Sequence, residues 1–338
     1  MIERISLKDK IKEGGNYFSS PKTDIKFISS GSKLLDMALG GGWAENRVGN
    51  IVGDKSTGKT GLAIELTANF ARKYSDSPIY YRETEAAFLP DYASALGMPL
   101  DRIDFGNDKP IETIEDMFDD LNDCAKATKR IPTLYICDSL DALSDEAEMG
   151  RGFGEGSYGT QKAKDISKLF RQLMRQISNS NITLIIVSQI RSKIGVTFGE
   201  KTTRSGGRAL DFYAAQVVYL SQTGTVSQTI SGIKRITGIE VRARVKKNKI
   251  GLPFREANFT IMFGQGVNDI MACLEWLKEA RSLNELDISD PKTYIKTLNR
   301  MNDDDYYNAV SRIYKATEEN WWRIEKSFLP TRKKIYVD

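Results

Sequence analysis

A glycine-rich run at residues 53–60 fits the pattern Gly-x-x-x-x-Gly-Lys-[Ser/Thr] without a mismatch. It follows an apolar segment at residues 48–52 and opens a helical pattern that continues to residue 74. In this context glycines let backbone N–H groups curl around phosphate oxygens, and the helix N-terminus adds positive potential. Lys59 is then expected to reach the β- and γ-phosphates, and the Thr60 hydroxyl to bind Mg²⁺. The residues predicted to surround the phosphates are Gly53, Asp54, Lys55, Ser56, Thr57, Gly58, Lys59, Thr60 and Gly61.

The chain contains no histidine, so acid–base chemistry at this site must use other groups. Asp138 ends the apolar segment at 133–137 and is expected to hold the water shell of Mg²⁺. Glu83 and Glu85 follow the apolar segment at 79–81, and either carboxylate is a candidate to activate the attacking water. Gln189 ends the next apolar segment, where its amide either senses the γ-phosphate or caps the strand. Strand ends of this kind face the ligand crevice of an α/β sheet.

A long basic loop is predicted directly after Gln189, at residues 190–210. It carries five basic residues against one acidic residue, Glu200, and a loop of this length in an α/β core is usually functional. The loop is either a solvated flap or a link that couples the nucleotide to a polyanion. In the second case its apolar side chains would insert between bases. The predicted contacts in and beside this loop are Arg191, Lys193, Ile194, Val196, Phe198, Lys201, Arg204, Gly206, Gly207 and Arg208.

Two further features carry positive charge. Residues 150–159 contain five glycines together with Arg151, Phe153 and Tyr158, and form either a linker or a second loop that converges on the same nucleic acid. Residues 242–249 hold five basic side chains on a strand-like segment and its end. That segment is either a solvated edge strand, which protects against aggregation, or a cationic finger that reaches a neighbour's nucleotide.

The elements that must position these residues alternate between strand and helix from residue 33 to residue 188. Helices are predicted at 33–39, 61–74, 116–128 and 165–178, and strands at 48–52, 79–81, 133–137 and 183–188. This alternation is typical of an α/β fold with a parallel sheet. Three more strands, at 216–221, 239–247 and 257–262, precede a helical region. We therefore predict an N-terminal helix and linker at 1–27, a core at 28–268 and a small α-rich C-terminal domain at 269–338.

Composition narrows the class of protein. Hydrophobic residues make up 40% of the 338 residues and the net charge is +4, so a polyanion site must come from local clustering. No apolar run reaches the roughly 18 residues that span a bilayer, and the start of the chain lacks a secretory core. The three cysteines are far apart, which argues against a disulfide framework and suits a reducing cytoplasm.

These motifs, in this order, resemble the RecA/Rad family of recombinases and its bacterial branch most. The matching runs are ISSGSKLLD at 28–36, the glycine-rich run at 53–60, EAAFLPDYA at 85–93, DSLDAL at 138–143, QIRSKIGVTFG at 189–199, TRSGGRALDFY at 203–213, KNKIGLPF at 247–254 and FGQGVN at 263–268. The resemblance implies a RecA-type P-loop ATPase core with a central, twisted, mostly parallel sheet. It also implies ATP and Mg²⁺ as cofactors.

The family resemblance also implies roles for single residues. It selects Glu85 over Glu83 as the water-activating carboxylate, and it makes Gln189 a switch between the γ-phosphate and the second loop. It implies that Tyr92 stacks on adenine. Four further positions depart from the family pattern: Leu89 replaces an aspartate near adenine, Asp211 replaces a lysine, and Lys201 and Thr202 replace a Pro-Glu pair.

Assembly is implied by the same resemblance. Lys247 and Lys249 would act on the neighbouring subunit's phosphates, Phe212 would contact the next subunit, and 150–159 and 190–210 would be the two DNA loops of a helical filament. Residues 1–27 and 281–338 match the family weakly, and the chain ends with a basic Arg332-Lys333-Lys334 run, which indicates a divergent, phage- or plasmid-encoded member.

The expected function is a DNA-dependent ATPase that forms filaments on single-stranded DNA and promotes pairing and strand exchange with double-stranded DNA. Single-strand-binding or mediator proteins are expected partners. The alternatives are a regulatory or scaffold paralogue and a hexameric helicase. Intact Lys59, Asp138, Glu85 and Gln189 argue against an inactive paralogue, and the 190–210 loop argues against a helicase.

Overall fold

The computed structural model describes residues 25–128, 131–144, 159–192, 202–204 and 207–329. The strands are β1 (Phe27–Ile28), β2 (Trp43–Ala44), β3 (Val48–Gly53), β4 (Ile79–Glu83), β5 (Ile103–Asp104), β6 (Thr133–Asp138), β7 (Ile182–Ser192), β8 (Thr202–Arg204), β9 (Gln216–Ile230), β10 (Ile233–Asn248), β11 (Glu256–Met262) and β12 (Gly266–Val267). The helices are α1 (Lys33–Leu39), α2 (Lys59–Lys73), α3 (Pro90–Ala95), α4 (Ile114–Thr128), α5 (Gly159–Ser180), α6 (Gly207–Tyr213), α7 (Asp269–Glu279), α8 (Pro291–Leu298) and α9 (Asp303–Ser327), with 3-10 turns at Leu100–Arg102 and Leu283–Leu286.

A ten-stranded sheet organises the described residues. Its strand order is β12-β11-β10-β9-β3-β7-β6-β4-β5, with β8 paired to β7. The strands from β9 to β5 pair in parallel, whereas β9, β10, β11 and β12 pair antiparallel. The predicted α/β fold with a mostly parallel sheet is therefore confirmed.

Helices cover both faces of this sheet. Neighbouring residues of β3 point to opposite faces, as alternation in a strand requires. Ile51 belongs to the core cluster under α1, α2 and α7, while Val48 and Val52 belong to the cluster under α4, α5 and α6. All six residues of β3 are buried, which explains why the strand is mostly apolar. Its one polar side chain, Asn50, donates to the backbone oxygen of Ile186 at 2.8 Å.

The C-terminal helices pack against the first of these clusters through apolar side chains that include Leu274, Ile313 and Trp321. The Arg255 guanidinium also forms an ion pair with Glu325 at 2.6 Å. The domain boundary near residue 268 stays a prediction, and residues 1–24 of the predicted N-terminal segment lie outside the described residues.

The β9–β10 hairpin is longer than the sequence predicted. Strands were expected at 216–221 and 239–247, but they continue to a two-residue turn at Ser231 and Gly232, where φ is 51° and 79°. Positive φ values are typical of two-residue hairpin turns, whose backbone twist matches that of the flanking strands. Beyond residue 221 most side chains of the hairpin are exposed, including Ile230 and Ile233.

Two smaller expectations concern cysteines and membranes. Cys124, Cys137 and Cys273 are buried free thiols, as their spacing predicted. Among the helices of the described ranges, none combines the length and the apolar character that crossing a membrane requires.

Candidate nucleotide site at the carboxyl edge of the sheet

The predicted phosphate loop connects β3 to α2. Gly58, in the left-handed region with φ of 85°, precedes the first helical residue, Lys59. A Cβ atom on Gly58 would clash with the Ile261 side chain, and one on Gly53 would lie 2.5 Å from the Thr57 hydroxyl. Close packing therefore favours glycine at both positions, and the left-handed backbone conformation favours it at Gly58 as well.

The loop is held by its own hydrogen bonds. The backbone oxygen of Asp54 accepts from the Thr57 hydroxyl at 2.9 Å and from the Lys59 ammonium at 2.7 Å. The Lys55 N–H donates to the Asp54 carboxylate at 2.7 Å. These bonds curve the chain around the start of α2, where N–H groups and the helix dipole favour an anion.

Lys59 lies among carboxylates. Burial lowers the pKa of Lys59, whereas the charges of Asp138, Glu85, Asp141 and Asp54 act in the opposite direction. One ammonium group surrounded by several carboxylates leaves the pocket negative. A triphosphate would therefore need a divalent cation to bind here.

Two side chains whose oxygen atoms could bind a metal ion lie beside Lys59. Asp138, at the end of β6, is 5% exposed and accepts from the buried Tyr81 hydroxyl at 2.8 Å. Burial raises the pKa of Asp138, and the charges of Glu85 and Glu83 raise it further, while hydrogen bonds from Tyr81 and Thr60 lower it. Thr60 and Asp138 thus lie close to each other. A hydroxyl and a carboxylate, in a pocket with excess negative charge, fit Mg²⁺.

Within the described ranges, no group of three or more histidine, cysteine or acidic side chains is arranged to hold a metal ion. Mg²⁺ commonly binds through one or two protein ligands together with phosphate oxygens and water. The Thr60–Asp138 pair is compatible with that arrangement.

Glu83 and Glu85 differ in what they contact. Glu83, opposite Asp138 in the β4–β6 register, accepts the backbone N–H groups of Glu85 at 2.9 Å and Ala87 at 3.2 Å. It therefore stabilises the turn that follows β4. Glu85 is exposed, and its Oε1 accepts the Ser139 hydroxyl at 2.5 Å. The structure thus places Glu85, rather than Glu83, where its carboxylate is oriented by a side chain from the end of β6.

Gln189 lies beside the phosphate loop. It pairs with Gly53, the first loop residue, in the parallel register of β3 and β7. Its own N–H donates to the Asp141 carboxylate at 2.5 Å. The strand continues through Gln189 to Ser192, where it pairs with β8, so that Ile190 lies opposite Arg204. The ends of the predicted 190–210 loop are therefore joined by a short antiparallel ladder, and its last residues form the start of α6.

Tyr92 lies on α3, and its hydroxyl is 3.3 Å from the position that a Cβ atom on Gly61 would occupy. It therefore reaches the first turn of α2. Burial raises the pKa of Tyr92, and so does the charge of Glu65. Leu89 precedes α3 and is 67% exposed, beside the predicted adenine position.

The basic residues of β10 divide into two groups. Arg242 and Arg244 face Glu256 on β11, at 3.7 and 2.7 Å. Because β10 pairs with β9 on one side and with β11 on the other, the edge-strand interpretation is wrong for these two. Lys247 and Lys249 contact the C-terminal end of α6 instead. The Lys247 ammonium donates to the backbone oxygens of Asp211 and Phe212, and Lys249 donates to Phe212 at 3.2 Å.

Phe212 lies on the same surface as Lys247 and Lys249. The Phe212 side chain is 69% exposed, and the Lys249 ammonium lies 5.8 Å from the centre of its ring. The two lysines and Phe212 thus form one exposed patch at the end of α6.

Many predicted DNA contacts lie outside the described residues. These are Arg151, Phe153 and Tyr158 of the first loop and Lys193, Ile194, Val196, Phe198, Lys201 and Gly206 of the second. Of the others, Arg191 lies in β7, Arg204 in β8, and Gly207 and Arg208 in α6, where only their backbone is described.

Sequence reasoning missed the residues that hold the reactive groups. Tyr81 contacts Asp138, Ser139 contacts Glu85, and Asp141 contacts Gln189. Thr84 in turn contacts Ser139. The only available signal was that Ser139 and Asp141 follow Asp138 closely.

Comparison with known proteins shows both a matching family model and similar relatives. A family model described as the RecA N-terminal domain matches residues 2–268. The chain is also similar to Protein RecA of Colwellia psychrerythraea, with 35% identity over 275 residues that cover 81% of this chain and 75% of that protein. The range matched by the family model includes the whole site described above, from Gly53 to Lys249.

Proposed function

The chain belongs to the RecA family of recombinases, and on that premise we propose that it hydrolyses ATP on single-stranded DNA, forms helical filaments there and promotes strand exchange. Members of this family bind DNA, assemble as homo-oligomeric filaments and depend on ATP, normally with Mg²⁺. The observation that carries the proposal is the pairing of Gly53 with Gln189. It connects the phosphate loop to the strand that leads into the second DNA loop.

Nucleotide binding is proposed to use the loop from Gly53 to Gly61, with Lys59 on the β- and γ-phosphates. Thr60 and Asp138 would hold Mg²⁺, which neutralises charge that develops on the phosphate oxygens. Tyr92 would stack on the base. Leu89 offers an apolar surface where an aspartate would offer a hydrogen-bond acceptor, so base selection here depends more on shape than on hydrogen bonding.

Hydrolysis is proposed to use Glu85 as the carboxylate that takes a proton from the attacking water. Its hydrogen bond from Ser139 orients it towards the carboxyl edge, where Lys59 and Asp138 also lie. Lys247 and Lys249 are proposed to stabilise negative charge on the phosphates of the neighbouring subunit. Their exposed patch with Phe212 supports an interface role, because both the cations and the ring are presented together.

DNA binding is proposed for both loops. Basic side chains would neutralise phosphates, while apolar and aromatic side chains would contact bases. The proposed contacts are Arg151, Phe153, Tyr158, Arg191, Lys193, Ile194, Val196, Phe198, Lys201, Arg204, Gly206, Gly207 and Arg208. Double-stranded DNA would enter during strand exchange, and single-strand-binding or mediator proteins and a cytoplasmic location stay predictions.

Electron microscopy of the protein with circular single-stranded DNA, Mg²⁺ and a non-hydrolysable ATP analogue tests this function directly. Helical filaments are expected only when DNA and nucleotide are both present. Closed rings would favour a hexameric helicase, and nucleotide binding without any assembly would favour a scaffold paralogue. Strand exchange between circular single-stranded and linear duplex DNA, with Lys59→Ala as the inactive control, then separates a recombinase from a protein that only forms filaments.

A further inference from the structure

Asp141 is a buried carboxylate next to the predicted switch residue. It lies in the turn after β6 and is 8% exposed. Its Oδ2 accepts the backbone N–H of Gln189 at 2.5 Å. A hydrogen bond to a charged acceptor is stronger than one between neutral groups, so this contact restrains the Gln189 backbone more than an ordinary turn bond would.

The sheet explains why Gln189 needs a side-chain acceptor. The β6–β7 ladder ends where Cys137 pairs with Ile186. One more main-chain bond follows, from the Leu140 N–H to the Val187 oxygen at 3.1 Å. The next inward N–H on this edge of β7 is that of Gln189. The Asp141 carboxylate therefore continues the ladder after the β6 backbone has left the sheet.

Asp141 also acts on the phosphate loop. Its charge is one of those that oppose the effect of burial on the pKa of Lys59. A single side chain thus contacts the backbone of the switch residue and influences the cation expected to bind the γ-phosphate. On the other edge of β7, Gln189 pairs with Gly53, so the switch residue is held between the phosphate loop and Asp141.

We propose that Asp141 is a positioning residue that fixes Gln189 relative to the phosphate loop and thereby transmits nucleotide binding to the second DNA loop. The inference rests on the proposed function, because it assumes that Gln189 senses the γ-phosphate. In this role Asp141 would act through Gln189 rather than on the DNA or the reacting atoms directly. Its loss should leave ATP binding and DNA binding possible but should disconnect one from the other.

The measurement is the affinity for a fluorescent single-stranded oligonucleotide, by anisotropy, with and without the non-hydrolysable analogue. The ratio of the two affinities is the coupling factor. Asp141→Ala is expected to lower this factor by at least about fivefold, the lower end of usual allosteric couplings, while the protein still binds the nucleotide. Asp141→Asn keeps an acceptor oxygen for the Gln189 N–H and is expected to retain most of the coupling.

Glu45→Gln is the matched control. Glu45 is also a buried carboxylate, but it accepts from Lys73 at 2.6 Å and from the Tyr74 hydroxyl, away from the phosphate loop. Its substitution should lower thermal stability without changing the coupling factor. An equal fall of the coupling factor in Glu45→Gln and Asp141→Ala would overturn the inference, because the effect would then come from lost stability.

Gln189→Ala separates this inference from the proposed function. If Gln189→Ala loses coupling and Asp141→Ala keeps it, Asp141 is not the positioning residue, although the switch assignment stands. If wild-type protein shows no nucleotide-dependent tightening, or Gln189→Ala retains it, the proposed switch fails and the inference fails with it. Loss in both variants with recovery in Asp141→Asn supports the inference.

Discussion

The hydroxyl of Ser139 donates to the carboxylate of Glu85 at 2.5 Å. Ser139 is itself held in place, because its N–H donates to the Thr84 hydroxyl at 2.9 Å and its backbone oxygen accepts from the same hydroxyl at 2.7 Å. The Thr84 N–H in turn donates to the backbone oxygen of Asp138 at 2.9 Å. The end of β4, which carries the proposed base, and the end of β6, which carries the proposed metal ligand, are therefore joined into one unit.

Ser139→Ala should lower kcat for ATP hydrolysis because the Glu85 carboxylate would lose its orienting donor. The expected loss is roughly tenfold, a part of the 10²-fold or more that a positioned general base contributes. KM for ATP should change by less than about twofold, since Ser139 does not lie on the phosphate loop. Ser139→Thr retains the hydroxyl and should recover part of kcat. Steady-state kinetics on single-stranded DNA test this, and a change in KM alone would contradict the positioning role.

Glu85→Gln should retain ATP binding but cut hydrolysis by roughly 10²-fold or more, because an amide cannot act as the base. Filaments formed with ATP should then persist. Glu83→Gln is the matched control, since a glutamine oxygen can still accept the Glu85 and Ala87 N–H groups, and it should retain most turnover. Single-turnover hydrolysis and nucleotide-binding assays distinguish the two variants. The reverse pattern would mean that Glu83 is the base.

The choice between these glutamates illustrates what the sequence could and could not predict. Lys59, Asp138 and Gln189 were predicted at one edge because each follows an apolar strand segment, and parallel strands bring such ends together. Spacing did not separate Glu83 from Glu85. That distinction depends on Ala86, whose φ of 52° folds the turn back so that two N–H groups meet Glu83.

Non-local pairing explains the other differences. The β9–β10 hairpin was predicted too short because residues 222–238 lack a buried apolar face, and the pairing across Ser231 and Gly232 alone extends the strands. The role of Asp141 was equally hidden, because it depends on where the β6 backbone leaves the sheet. Only the three-dimensional register indicates that the Gln189 N–H then needs another acceptor.

Lys247→Ala combined with Lys249→Ala should reduce ATP hydrolysis only in the assembled state, because the lysines are proposed to act on the neighbouring subunit. Mixing this double variant with Lys59→Ala should restore part of the turnover. At a mixed interface, an intact phosphate loop from one variant meets intact lysines from the other. Lys246→Ala is the control, since Lys246 packs over the Tyr219 ring at 4.0 Å instead. A mixture without recovery would contradict action between subunits.

The salt dependence of DNA binding should identify which loop residues contact phosphates. Each contact contributes about −0.7 to the slope of log K against log salt on single strands. Replacing Lys193 and Lys201 by alanine should therefore flatten the slope by roughly 1.4. Phe198→Ala should weaken binding with the slope unchanged, because it removes an apolar contact and no charge. Anisotropy titrations at several salt concentrations measure both, and an unchanged slope in the double variant would exclude these two lysines as phosphate contacts.

Three carboxylates meet where α1, α2 and α7 pack together; Asp36 is buried, and Glu65 and Asp269 are half-buried. Glu65 accepts the Val267 N–H at 2.7 Å, Asp269 accepts the Lys33 N–H at 2.8 Å, and Asp36 accepts from Ser29 at 2.6 Å. Burial raises the pKa of Glu65 from 4.5 to about 7, with a further contribution from the charge of Asp269, while the Val267 N–H and Arg72 oppose the shift. Burial likewise raises the pKa of Asp36 to about 7 and that of Asp269 to about 6.

Because the folded state raises these pKa values, the carboxyls stabilise it fully below about pH 4 and lose that contribution as the pH rises through about 7. Glu65→Gln, which stays neutral but keeps an acceptor for Val267, should increase the free energy of unfolding at pH 8 by on the order of 2–3 kcal/mol. At pH 4 it should have little effect.

Asp116→Asn is a control for which the opposite effect on stability is expected. Burial acts to raise the pKa of Asp116, but hydrogen bonds from Thr113 and Glu112 lower it below its ordinary value. That variant should be less stable than wild type at pH 7 and nearly equal near pH 3. Denaturant titrations across this pH range measure both differences, and a Glu65→Gln effect that does not grow with pH would contradict the raised pKa.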